Sequence, residues 1–110
     1  MNDLEFQTQA DAFMSQLLDA MESLDPDEVD ADLQMGVLSM EFADGSKCIM
    51  NRQTAAHQIW LAHGASAWHF AMDDTNARWM DTKNRGAVED VLSGILSQKL
   101  GREIVLGSSA

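Results

Sequence analysis

Apolar residues near the start of the chain recur in steps of three and four: Phe6, Ala10, Phe13, Met14, Leu17, Met21 and Leu24. That spacing gathers them on one side of an α-helix. Asp11, Ser15, Asp19 and Glu22 recur on another side at helical spacing. Asn2 stands where an N-cap would, and Glu5 three residues later completes a capping-box pattern. Pro26 is expected to end the helix, with Asp25-Pro26-Asp27 as a turn.

Beyond Pro26 the period changes to two. In Val29–Leu33, Asp30 and Asp32 share one face, while Val29, Ala31 and Leu33 share the other. Val37–Phe42 alternates likewise, and Asp44-Gly45 signals a hairpin into a strand over Ser46–Asn51. Further short strands fit His57–Ala62, Ala67–Met72 and Ala77–Asp81. Helical spacing returns at Val88, Val91, Leu92, Ile95, Leu96 and Leu100, with Gly101 placed as a C-terminal cap. The apolar tail Ile104-Val105-Leu106 is positioned to fold back on the core. Helix, about six strands, helix predicts an α+β two-layer α-β sandwich. Short turns make the sheet antiparallel, and both helices would cover one of its faces.

At 110 residues the chain is expected to form a single domain, 1–110. An apolar fraction of 45% suits a folded core despite a net charge of −11. The charge is unevenly spread: residues 1–46 hold twelve Asp/Glu and no Lys or Arg, and the remainder holds six acids and seven bases. Phosphate binding needs clustered Lys and Arg, so nucleic acid is disfavoured as a partner. No apolar run reaches the ~18 residues of a membrane span. The opening Met1-Asn2-Asp3-Leu4-Glu5 lacks a secretory pattern and is too acidic for a transit peptide, so a cytoplasmic protein is expected. Cys48 is the only cysteine, which excludes a disulfide framework, and its apolar strand makes it a core residue.

Unmixed acids repel one another and cost stability, so a compensating use is implied. Carboxylates suit hard cations, and exposed ones hold them weakly. An EF-hand does not fit: counting from Asp25, Val29 falls at a ligand position and Asp30 where glycine is required. Trp60 is the other informative residue. If Ile59 and Leu61 face the core, Trp60 and Gln58 face outward, and an outward tryptophan on a strand is an interface anchor. Asn51, Arg52 and Gln53 precede that strand and would form a polar rim around it. His57, His63 and His69 lack zinc-site spacing, and Trp68, Phe70 and Met72 alternate as a core face. No nucleophile–base motif is present.

The stretch Asn51-Arg52-Gln53-Thr54-Ala55-Ala56-His57-Gln58-Ile59-Trp60-Leu61-Ala62 closely resembles the signature strand region of the frataxin family. Met1-Asn2-Asp3, the acidic first helix, and Gly36-Val37-Leu38 through Asp44-Gly45-Ser46-Lys47 are similar to its bacterial members. The chain departs from them at Gln7, Leu18, Ser23, Gln34 and Thr54-Ala55. The resemblance implies two helices on one face of an antiparallel sheet. It also implies iron (Fe2+/Fe3+) bound weakly and reversibly, in a protein that serves iron–sulfur cluster assembly as iron donor or regulator. The implied partners are the cysteine desulfurase and the iron–sulfur scaffold protein, with a monomer in the absence of metal and iron-driven oligomerisation left open. On matching positions the ridge would be Asp3, Asp11, Asp19, Glu22, Asp25, Asp27, Asp30 and Asp32. The partner-binding residues would be Trp60, Asn51, Gln53, Gln58 and Arg52.

Two alternatives stand beside that expectation. One is a ferroxidase or iron-detoxifying enzyme, which would call for bridging carboxylates such as Glu and Glu-x-x-His pairs on facing helices, and the chain lacks the latter. The other is an acidic protein that sequesters a basic partner without metal.

Overall fold

The structure is a computed structural model, described for residues 1–106. Helix α1 (Asp3–Met21) is followed by β1 (Val29–Gln34), β2 (Val37–Phe42), β3 (Lys47–Gln53), β4 (Gln58–His63), β5 (Ser66–Asp73) and β6 (Arg78–Asp81), then α2 (Val88–Leu100). The strands form one antiparallel sheet in the order of the chain, β1 and β6 outermost. Both helices pack against it, giving the expected two-layer α+β architecture.

Helix α1 begins as its capping box requires. The Asn2 side chain accepts from the Glu5 amide, and the Glu5 carboxylate accepts from the Asn2 amide. Phe6, Ala10, Met14, Leu17 and Met21 are buried, as their spacing demands. The helix stops at Met21, before the expected Pro26. Proline disfavours helical geometry in the residue preceding it, which bars the helix from Asp25 onward, and Glu22 already closes it as the C-cap. The Leu24 amide then bonds to Met21 O, and Asp25 O accepts from the amides of Glu28 and Val29.

Several strand boundaries shift by one or two residues, and two of the shifts fall at turns in left-handed backbone. His57 does not open β4; at φ 52° it closes a single 3₁₀ turn over Thr54–Ala56. Ala77, at φ 53°, lies in the turn before β6. Strand β3 also runs longer than Asn51, so Arg52 and Gln53 are strand residues.

Leu38, Met40, Cys48, Met50, Ile59, Leu61 and Phe70 project from the sheet into the core beneath the helices. Leu92, Leu96 and Val88 meet them from α2. Trp68 and Met72 pack beside this core only partly buried. Gly101 caps α2 at φ 71°. The tail folds back through Leu106, which is buried and whose amide donates to Ser93 Oγ at 2.8 Å. Val105 points to solvent.

Candidate functional site

The uncovered sheet face is built by strand alternation. Ile59 and Leu61 are buried against the helices, so Trp60 between them faces the open side, half-buried by its neighbours. Its register partner on β5 is His69, and the two rings stack with centroids 4.2 Å apart and planes 9° apart. Trp60 Nε1–H donates to Gln58 Oε1 at 2.8 Å. On β3, Asn51 stands opposite Trp60 and Gln53 opposite Gln58, and Gln53 Nε2 donates to Asn51 Oδ1 at 2.8 Å. Ile49, Asn51, Trp60, Ala62, Ala67 and His69 line a shallow depression of about 130 Å³. Asn51, Gln53, Gln58 and Trp60 therefore share one surface.

Arg52 does not join them. Lying between Asn51 and Gln53 on a strand, it pairs in register with the inward-facing Ile59 and projects to the helix side. There its guanidinium forms an ion pair with Asp11 of α1 and passes close over Gly36. The rim expected around Trp60 thus loses Arg52 to a contact between layers. His69 is the residue that sequence reasoning passed over. The signal was the two-residue turn Gly64-Ala65, which pairs His63 with Ser66 and so, three positions back, Trp60 with His69.

The acidic residues separate into two groups. Asp3 Oδ1 meets His57 Nε2 at 2.7 Å, and Asp11 is held by Arg52. Asp19, Glu22, Asp25, Asp27, Asp30 and Asp32 are exposed, and no cationic side chain pairs with them among the described residues. Asp25 is partly ordered by its own turn, where Oδ1 accepts from the Asp27 amide at 2.9 Å. Asp30 and Asp32 point to the open side of β1, opposite Glu41 and Ser39. No group of three or more His, Cys, Asp or Glu is close enough to hold one ion among the described residues. A cation on this ridge would keep much of its water, which suits weak and reversible binding.

Three carboxylates outside the unpaired ridge are held below their usual range. Asp44 is lowered chiefly by a hydrogen bond from Lys99, aided by Ser46. Glu28 is lowered by the bidentate Arg102 guanidinium. For Asp81, burial acts to raise the value, but hydrogen bonds from the side chain and backbone of Arg85, together with its charge, outweigh that and hold it low. Arg85 also donates to Ala67 O and lies over the Trp68 ring, pinning the loop before α2 to β5. Cys48 is wholly buried, and burial pushes its thiol up to about 12, so it is no nucleophile.

A family model described as a frataxin-like domain matches residues 1–102. The chain belongs to the frataxin family. Among its relatives, the iron–sulfur cluster assembly protein CyaY of Thioalkalivibrio sulfidiphilus is 37% identical over 107 residues, covering 96% of this chain and 100% of that protein. The CyaY of Dechloromonas aromatica is 40% identical over 107 residues, covering 96% and 99%. The frataxin of Psychromonas ingrahamii superposes with a TM-score of 0.86 at 28% identity, covering 96% of this chain and 97% of that one. A trimeric frataxin from the yeast Saccharomyces cerevisiae, in a ferrous complex, superposes with a TM-score of 0.72 at 28% identity, covering 84% and 86%. The frataxin fold accounts for the open face, since its two helices cover only one side of the sheet. No helix among the described residues is long and apolar enough to cross a membrane.

Proposed function

We propose that this frataxin-family protein is a cytoplasmic, iron-binding accessory protein of iron–sulfur cluster assembly that acts by association. The observation that carries this reading is the joining of two surfaces: the unpaired carboxylates of Asp19, Glu22, Asp25, Asp27, Asp30 and Asp32, and an open sheet face centred on the Trp60–His69 stack. The ridge supplies long-range attraction to a basic partner and weak binding of iron as cargo. The sheet face supplies an aromatic anchor that makes the encounter specific. The names of the CyaY relatives support the assembly role. The partner proposed is the cysteine desulfurase together with its iron–sulfur scaffold, and the protein is a monomer when metal-free.

The test measures binding to a purified desulfurase–scaffold complex at low and high salt. Charge reversal of Asp19, Glu22 and Asp25 should weaken binding strongly at low salt and much less at high salt. Trp60→Ala should weaken it at both. Wild-type binding by both variants would sink the proposal. Anaerobic ferrous titration followed by NMR tests the cargo role, with shifts expected along Asp19 to Asp32; an unshifted ridge would leave only the reading of charge-driven sequestration. Oxygen consumption during ferrous addition under air tests the ferroxidase reading, and catalytic turnover above buffer would favour it over binding alone.

A further inference from the structure

The outer edge of β1 is an unpaired strand edge, and its chemistry specifies what would pair with it. Backbone bonds at Phe42 turn toward β3: its amide donates to Ser46 O, and its carbonyl accepts from the Gly45 amide. Val29 opposite Phe42 therefore sits in a non-hydrogen-bonded pair, with its backbone groups turned away from β2. Its amide indeed bonds outward, to Asp25 O. The period of two carries the same orientation to Ala31 and Leu33, whose N–H and C=O groups point past the last strand of the sheet.

A groove of about 220 Å³ runs beside this edge, lined by Leu18, Met21, Leu24, Pro26 and Ala31 on its apolar side. Glu22 and Asp30 line it too, so carboxylates border an apolar trough. Asp25 and Asp27 lie at one end of the edge, and Asp32 lies on the open side of the strand. No Lys or Arg occurs in the first 46 residues; of the later cations, Lys47 lines a depression with Asp30 and Asp32, and Arg102 is held by Glu28, so the acids still outnumber the bases at this edge.

We propose that β1 accepts an extended, basic segment of a partner protein as a seventh strand. Backbone groups of that segment pair with Ala31 and Leu33, and one aliphatic side chain enters the groove. Its Lys or Arg residues meet Glu22, Asp30 and Asp32. Strand addition divides the labour in this way, main-chain bonds giving affinity and alternate side chains giving selectivity. A second copy of this chain is the wrong occupant, because it would bring Asp30 and Asp32 against their own like charges, the usual guard on an exposed edge. The inference rests on the reading of the ridge as a basic-partner surface and names the form that partner takes.

The protein is left unaltered in the test, and the chemistry is varied in the probe. An end-capped peptide alternating Lys and Val, about eight residues long to span β1, is titrated into ¹⁵N-labelled protein. Two controls accompany it: the same peptide N-methylated on the residues facing β1, and oligolysine of equal charge. Binding of the parent should shift Ala31 and Leu33 and slow exchange of their amides. N-methylation should weaken binding by about tenfold or more, each lost bond costing several-fold. Equal binding of parent and N-methylated peptide would overturn strand addition, with the charged-ridge reading still standing. Failure of every cationic peptide, oligolysine included, at low salt would overturn both. Concentration-dependent shifts of Ala31 and Leu33 without peptide would show self-pairing and overturn the choice of occupant.

Discussion

The Trp60 indole lies flat on the His69 imidazole, with ring centroids 4.2 Å apart and planes 9° apart. The stack holds the indole against the sheet, and the Nε1–H bond to Gln58 fixes its in-plane rotation. A rigid aromatic surface loses little freedom when it is covered, which favours its use as an anchor. His69→Ala is expected to weaken docking on the desulfurase–scaffold complex by about threefold to tenfold through loss of the stack. Trp60→Ala should weaken it further, and both variants should stay folded, since neither ring belongs to the buried core. Calorimetric titration beside circular dichroism reads both outcomes; unchanged affinity in His69→Ala would show that the stack plays no part in docking.

Arg52 withdraws Asp11 from the ridge. The pair spans the two layers and is partly exposed, so its contribution to stability is modest, about 1 kcal/mol or less. Arg52→Met and Asp11→Asn should each lower the denaturation midpoint slightly, with the double variant costing less than the sum. Arg52→Met should also return a free carboxylate to α1 and add a ferrous-induced NMR shift at Asp11 that the native protein lacks. Strict additivity in urea melts together with an unshifted Asp11 would contradict this account.

Acid should erode the fold through Asp44, Glu28 and Asp81, whose values are all lowered in the folded protein. The unfolded chain then takes up protons first as pH falls. The stability these groups contribute is complete above the usual carboxylate range near pH 4 and is lost as pH drops through their lowered folded values. Asp81 is the buried member, and Asp81→Asn should cost about 1–3 kcal/mol at neutral pH by weakening its hold on Arg85. Its stability should also fall less steeply with acid. Urea melts from pH 7 to pH 3 test this; parallel curves for the two proteins would count against it.

Cys48 should be inert in the folded state. A buried thiol with its pKa pushed up to about 12 carries little thiolate at neutral pH. A chromogenic disulfide reagent should react with it only in denaturant, at a rate limited by unfolding. Fast labelling of the native protein would place Cys48 outside the core.

Element order was legible because each signal is local. The steps of three and four in α1, the alternation in β2 and β4 and the glycine cap of α2 each follow from a few neighbouring residues and their own backbone geometry. Alternation also set which way Trp60 faces, since Ile59 and Leu61 leave it one side only. Local patterns failed where backbone turned left-handed at non-glycine residues, as at His57 and Ala77, because intrinsic preference gives no sign of that geometry there.

The acidic excess of the first 46 residues, unrelieved by any base, was written in the sequence alone. Which of those acids remain free was decided only by the fold. Arg52 lies 41 positions from Asp11 and His57 lies 54 from Asp3, and neither meeting is encoded by a local period. They come together because a helix packed on a sheet brings distant residues within reach of a short-range bond. The same packing covers one face of the sheet, which leaves Trp60 open on the other and the edge of β1 unpaired.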